Sequence, residues 1–138
     1  MRESDGQIMS RDISKLSPLM QVKWQVFKKQ CDAENLGVFI VCTDRGEVDQ
    51  EAAFNSGASR AHFGQSAHNA LFSNGKPASE AWDIGIIVNG KYIGDSEHPN
   101  YKRAGAIGEA MGLKWYGNPK YKFVEAAHFQ NMLWSKPK

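Results

Sequence analysis

Four histidines, at positions 62, 68, 98 and 128, offer this chain its main means of acid–base or metal chemistry near neutral pH. His68 lies in the polar stretch Gly64-Gln65-Ser66-Ala67-His68-Asn69, which leads towards an apolar segment carrying Asp83. His128 follows Glu125 by three positions and opens a short strand pattern. Two imidazoles and one carboxylate make a three-ligand zinc set with a position left open for water. Glu125 would then be a fourth group, free to act as a base. Plainer readings stand beside this one. Asp83, at the head of a buried strand, also suits a cap or a salt-bridge partner. His98, beside Pro99 at a helix start, suits a solvent-facing position, and His62 lies in the irregular middle of the chain. Cys31 falls in a helical pattern and Cys42 ends an apolar run. Neither belongs to a Cys-x-x-Cys pair, so both read as buried free thiols with no redox or metal role.

The elements that must position these groups are legible from caps and periodicity. Ser17-Pro18 is a helix start, a hydroxyl N-cap followed by proline at the first helical position. Leu19, Val22 and Val26 recur at helical spacing, widened by Met20, Trp24 and Phe27, and the helix runs to about Glu34 before Asn35-Leu36-Gly37. Val38 to Cys42 is a short apolar run expected to be a buried strand. A second helix is expected from Glu47 to Phe54, and the stretch from Ala58 to Ser79 has no sustained period. Ala81 to Val88 alternates and ends in Asn89-Gly90, a strong hairpin signal, with Lys91-Tyr92-Ile93 returning. Trp82 must then point to the opposite face from Asp83. A further helix from about Pro99 to Met111 and strands at Leu113–Tyr116 and Ala127–Gln130 complete the chain. This order predicts one α+β domain over residues 1–138, with residues 1–16 as a loosely packed arm.

Composition narrows the function classes. The 138 residues are 41% hydrophobic and 23% charged, which excludes a disordered or low-complexity chain. A net charge of +2 does not suggest a nucleic-acid partner. No apolar run approaches the ~20 residues that span a bilayer, and the polar start MRESDGQIMSRDISKLS lacks the apolar core of a signal peptide. The chain is therefore expected to be made in the cytoplasm without membrane insertion.

Ser66-Ala67-His68, then Ala81-Trp82-Asp83, then Glu125-Ala126-Ala127-His128 follow a Ser-x-His, Ala-x-Asp, Asp/Glu-x-x-His order. In this the sequence resembles the zinc-dependent DD-peptidases and endopeptidases of bacterial cell walls, the family of VanX-type dipeptidases, VanY-type carboxypeptidases and phage L-alanyl-D-glutamate endolysins. The likeness to the endolysins extends to Gly64–Asn69, to Met111-Gly112-Leu113-Lys114-Trp115-Tyr116-Gly117, to His128-Phe129, and to Thr43-Asp44-Arg45 with Gln50 on the next helix. It covers roughly residues 17 to 132.

The resemblance implies a small α+β domain of the Hedgehog/DD-peptidase type, a central antiparallel sheet flanked by helices. It implies zinc held by His68, Asp83 and His128, Glu125 as general base, and Arg45 holding an oxyanion or a substrate carboxylate. Ser66 would contact substrate or orient the site; Gln50 and Trp115 would be further substrate-binding residues. The expected substrate is a peptidoglycan stem peptide, cut by a monomer at the L-alanyl-D-glutamate bond after holin-type release from a host cytoplasm. A D-alanyl-D-alanine carboxypeptidase or dipeptidase is the neighbouring alternative, and a non-catalytic wall-binding module on the same fold is a rival of another class. Two departures stand out. His68 and Asp83 are fifteen positions apart, more than the family spacing, with the excess near Phe72–Pro77 expected to loop out. Ser79 occupies a position where the family has glycine. Were the excess not looped out, Glu80 or His62 would compete with Asp83 as ligand.

Overall fold

Ser17 accepts a hydrogen bond from the Met20 amide and Pro18 sits at the first helical position, so α1 (Pro18–Ala33) begins at its sequence signal. The computed structural model describes residues 10–57, 59, 61, 66–71, 74–121 and 124–134. Helix α1 is followed by β1 (Val38–Cys42), α2 (Glu47–Asn55), β2 (Ala81–Val88), β3 (Lys91–Tyr92), α3 (Pro99–Ala110), β4 (Leu113–Trp115) and β5 (His128–Asn131). Two short 3-10 turns, Ile13–Lys15 and Ala67–Asn69, complete the described elements.

The strands form one antiparallel sheet in the order β1-β2-β5-β4, with β3 paired to β2 as the return of a hairpin. Asn89 and Gly90 both take positive φ in that hairpin, as a two-residue primed turn requires. Gly37, at φ 73, leads into β1 so close to β2 that an added Cβ would lie 1.8 Å from the Ile87 carbonyl oxygen; only glycine fits there. The fold is α+β, as the element order predicts. None of the described helices is long and apolar enough to cross a membrane.

Strand β2 has two unlike faces. Trp82, Ile84 and Ile86 point into a core shared with Phe129 of β5, Leu113 and Trp115 of β4, and residues of α1 and α3. Phe27 of α1 sits between Trp82 and Phe129, with ring centroids at 5.4 and 5.0 Å. The buried stripe of α1 is Met20, Trp24, Phe27 and Cys31, whereas Leu19, Val22 and Val26 are exposed. The expected register of that helix is thus corrected: both stripes have helical spacing, and the one with the larger aromatic surface meets the sheet. Of the arm expected over residues 1–16, positions 1–9 lie outside the described residues, and the remainder is packed. From Ser10 onward the chain is bonded to the molecule, through Ser10–Asp44 and Thr43–Ser10 backbone bonds, and Leu16 is fully buried.

Helix α3 approaches the sheet over two glycines. A Cβ on Gly105 would meet the Trp115 ring at 2.3 Å, and one on Gly108 would meet Phe129 at 2.6 Å. Gly105→Ala should therefore lower stability. Overpacking costs about 1–3 kcal/mol, against a helix-propensity gain of about 1 kcal/mol. Urea unfolding checks this; a variant more stable than the parent would show that Trp115 can give way.

Candidate metal centre

The face of β2 opposite the core carries Asp83, and three local devices bring partners to it. The first is register: Asp83 stands directly across from His128 in the β2–β5 pair, so both side chains project on one face. The second is an irregularity in β1. Val38 and Ile40 pair with Ile86 and Ile84, but the register then shifts and Cys42 pairs with Asp83. The extra residue turns Cys42 from the core side to the Asp83 side. The third is the 3-10 turn bearing His68. Ser66 Oγ accepts from the His68 amide at 3.2 Å, and Asn69 Oδ1 accepts from the Ser66 amide at 3.1 Å. The turn is fastened to the sheet by the Glu80 amide donating to Ala67 O and the Arg45 amide donating to His68 O.

The result is a convergence on one carboxylate oxygen. His68 Nε2 lies 3.1 Å and His128 Nδ1 lies 2.9 Å from Asp83 Oδ1. Arg45 Nη2 approaches the other oxygen, Oδ2, at 3.4 Å. Each imidazole is held from behind. His68 Nδ1 is 2.9 Å from the Thr43 carbonyl, which can only accept, so Nδ1 carries the proton and Nε2 turns towards Asp83. His128 Nε2 is 2.8 Å from Gln130 Oε1, leaving Nδ1 to face the same oxygen. This is how metal-binding histidines are oriented by a second ring of partners.

Burial lowers the pKa of His68 below its ordinary value, against the opposing charge and hydrogen bond of Asp83. Burial also works against ionising Asp83, yet the charge of His68 and hydrogen bonding with His128 and His68 outweigh it and hold the carboxyl well below the usual range. Burial opposes a charged His128 as well, but its hydrogen bond to Asp83 and the Asp83 charge raise it. An imidazole–imidazole–carboxylate set is of the kind that suits zinc and related divalent ions. Among the described residues, Cys42, His68 and Asp83 also place one donor atom each within 4.8 Å of one another. Cys42 Sγ lies 3.7 Å from His68 Nδ1, and burial pushes its thiol up to about 12. Sequence reasoning assigned Cys42 no part near a metal; the register shift that turns it inward leaves no mark in the local residue pattern.

Glu125 stands just before β5. Residues 126 and 127 form a turn closed by the His128 amide donating to Glu125 O, which supplies the bend that three-residue spacing demands. Tyr116 clamps this turn, its amide donating to His128 O and its carbonyl accepting from Glu125 N. Glu125 Oε1 comes to 4.0 Å from His128 Nδ1, and burial raises its carboxyl above the ordinary range.

The remaining candidates fall in different places. Arg45 Nη1 donates to Gln50 Oε1 at 3.1 Å, and Gln50, fully buried, donates in turn to Ser59 Oγ and Ala61 O. Gln50 therefore stands behind Arg45 and positions it. Ser66 lies at the head of the His68 turn. Trp115 packs in the core against Phe129, its Nε1 donating to Ala126 O at 2.8 Å. His98 caps α3 by accepting from the Asn100 amide and takes no part in the cluster. His62 lies outside the described residues. Glu80 is turned to Asn131, whose amide donates to it at 3.0 Å. The excess between His68 and Asp83 is clipped at its base by a Leu71–Pro77 bridge and by Ala78 N donating to Ala70 O, so Asp83 meets His68 despite the longer chain between them.

Gln130→Leu should keep the fold, because only a side-chain contact is lost, but leave the His128 ring unheld. Divalent-metal affinity is expected to fall about 10- to 100-fold, measured by competition with a chromogenic chelator. Unchanged affinity would show that His128 needs no such support.

No protein-family model and no curated protein matches this chain. Among solved structures, the chain is similar to the L-Ala D-Glu endopeptidase ChiX of Serratia marcescens, with a TM-score of 0.63 over 93% of this chain and 91% of that one. Sequence identity between them is 14%, so what the two share is the fold.

Proposed function

We propose that this chain is a metal-dependent peptidase of peptidoglycan stem peptides, with the L-alanyl-D-glutamate bond as its target. The observation that carries the reading is the convergence of His68 Nε2 and His128 Nδ1 on Asp83 Oδ1, with Glu125 Oε1 4.0 Å from the same His128 nitrogen. The fold shared with an L-Ala D-Glu endopeptidase supports the choice of bond.

His68, Asp83 and His128 would hold the ion. Zinc bound there supplies Lewis-acid polarisation of the peptide carbonyl and lowers the pKa of a water towards about 7. The chain's own residues do the rest. Glu125, partly withdrawn from solvent, takes a proton from the attacking water as its oxygen bonds to the carbonyl carbon. It then delivers that proton to the departing nitrogen as the C–N bond breaks, so one water yields a carboxylic acid and an amine. Arg45, held by Gln50 and directed towards Asp83, puts a fixed positive charge beside the point where the carbonyl oxygen gains negative charge. Ser66 keeps His68 in place through its amide.

Purified protein supplied with zinc should release wall peptides that mass spectrometry identifies as cut between alanine and glutamate. Chelation should abolish that cleavage and zinc should restore it. Glu125→Gln is expected to retain the metal and lose about 10²- to 10⁴-fold in rate. Wild-type-like hydrolysis by Glu125→Gln would assign the proton shuttle elsewhere. A metal-loaded wild type that binds walls without cutting them would favour a binding module on this fold.

A further inference from the structure

The His128 ring is held by more than its hydrogen bonds. Its Nδ1 faces Asp83 Oδ1 at 2.9 Å on the β2 side, and its Nε2 faces Gln130 Oε1 at 2.8 Å. Bonds to ring nitrogens run in the plane of the imidazole, so the ring stays free to tilt about the line that joins them. On the β4 side stands Tyr116. Leu113, Lys114 and Trp115 of β4 pair with Asn131, Gln130 and Phe129 of β5, and the Tyr116 amide continues that ladder by donating to His128 O at 3.0 Å. Alternation puts Trp115 in the core and Tyr116 on the face that carries His128. The two rings meet with centroids 4.8 Å apart and planes at 72°, an edge contact that opposes the tilt. Tyr116 is itself braced. Tyr121 stacks on it, with centroids 4.8 Å apart and planes 13° apart. The Tyr121 amide donates to Asn118 O and the Asn118 amide to Trp115 O, which folds this short segment back on the end of β4. Asn118 Nδ2 also donates to Glu109 Oε2 of α3 at 3.1 Å. Lys114 Nζ lies 6.0 and 5.8 Å from the Tyr116 and Tyr121 centroids, and Lys120 Nζ lies 5.3 Å from that of Tyr121, so positive charge flanks the stack.

Once Nδ1 is given to an ion, Gln130 and Tyr116 are what remain to hold the ring, and partners behind a metal-binding histidine set how well it binds. We propose that Tyr116 is a positioning residue for the metal centre: the contact of its ring, not its hydroxyl, keeps His128 turned towards Asp83 and His68. This rests on the His68, Asp83 and His128 ligand set of the reading above and adds a support for one of its members.

Zinc affinity of the purified protein, read by chelator competition, decides it without relying on turnover. Tyr116→Leu should bind zinc about 10-fold more weakly, as loss of a ligand's support does. Tyr116→Phe, which keeps the ring, should match wild type. Tyr116→Leu and Gln130→Leu free the same imidazole, so their effects should not add: the double variant should lose hardly more than the worse of the two alone. A change that merely loosened the fold would multiply with Gln130→Leu instead. Should Tyr116→Leu fail to fold, Tyr121→Leu removes only the brace and should show a smaller loss in the same direction. Wild-type affinity in Tyr116→Leu or, in its place, in Tyr121→Leu overturns the proposal. So does a Tyr116→Phe as weak as Tyr116→Leu, or a double variant whose loss is the product of the two. A wild type that binds no zinc overturns the ligand set as well. A wild type that binds zinc and follows the expected pattern, but cuts no wall peptide, leaves this inference standing and overturns the peptidase reading.

Discussion

A carboxylate removed from water must be matched by positive charge or hydrogen bonds, and Asp83 is such a group near the start of the long strand β2. Its two oxygens divide the work. Oδ1 receives His68 and His128, and Oδ2 receives Arg45. Elements that are not needed for the core are held in place by this arrangement. The loop before α2 brings Arg45, the 3-10 turn brings His68, and the turn before β5 brings Glu125 within reach of His128. Removing Asp83 would leave cationic and imidazole groups facing each other with nothing between, so the site face depends on it more than on any single apolar contact.

The sheet keeps two chemistries apart by the simple alternation of a strand. Trp82 and Phe129 face each other in the core while their neighbours Asp83 and His128 face each other on the other side. Rigid aromatic packing beneath the site therefore sets the backbone positions of Asp83 and His128 above it. The close approach of α3 over Gly105 and Gly108 belongs to the same arrangement, since it presses on Trp115 and Phe129 from behind.

Ser79 stands where the sequence resemblance led to the expectation of a glycine. It is fully buried, and its hydroxyl sits against the Thr43 carbonyl, the same oxygen that receives the His68 ring. Its amide donates to Lys15 O and its carbonyl accepts from Ser17 N. A residue that looked like an obstacle to close backbone approach instead joins the N-terminal segment to the support of His68.

Much of the fold was legible because its signals are local. The cap at Ser17-Pro18, the apolar run of β1, the alternation of β2 and the Asn89-Gly90 turn each act within a few residues, and all form where the pattern places them. The types and order of His68, Asp83, Glu125 and His128 were equally plain, because the chemistry of a side chain belongs to the residue itself. Which stripe of α1 is buried, by contrast, depended on the shape of the sheet it meets. The turning of Cys42 towards Asp83 depended on a register shift between β1 and β2, and which nitrogen of each histidine faces Asp83 depended on a carbonyl from Thr43 and the amide oxygen of Gln130. These are contacts between parts of the chain that folding brings together, and periodicity along the chain carries no record of them.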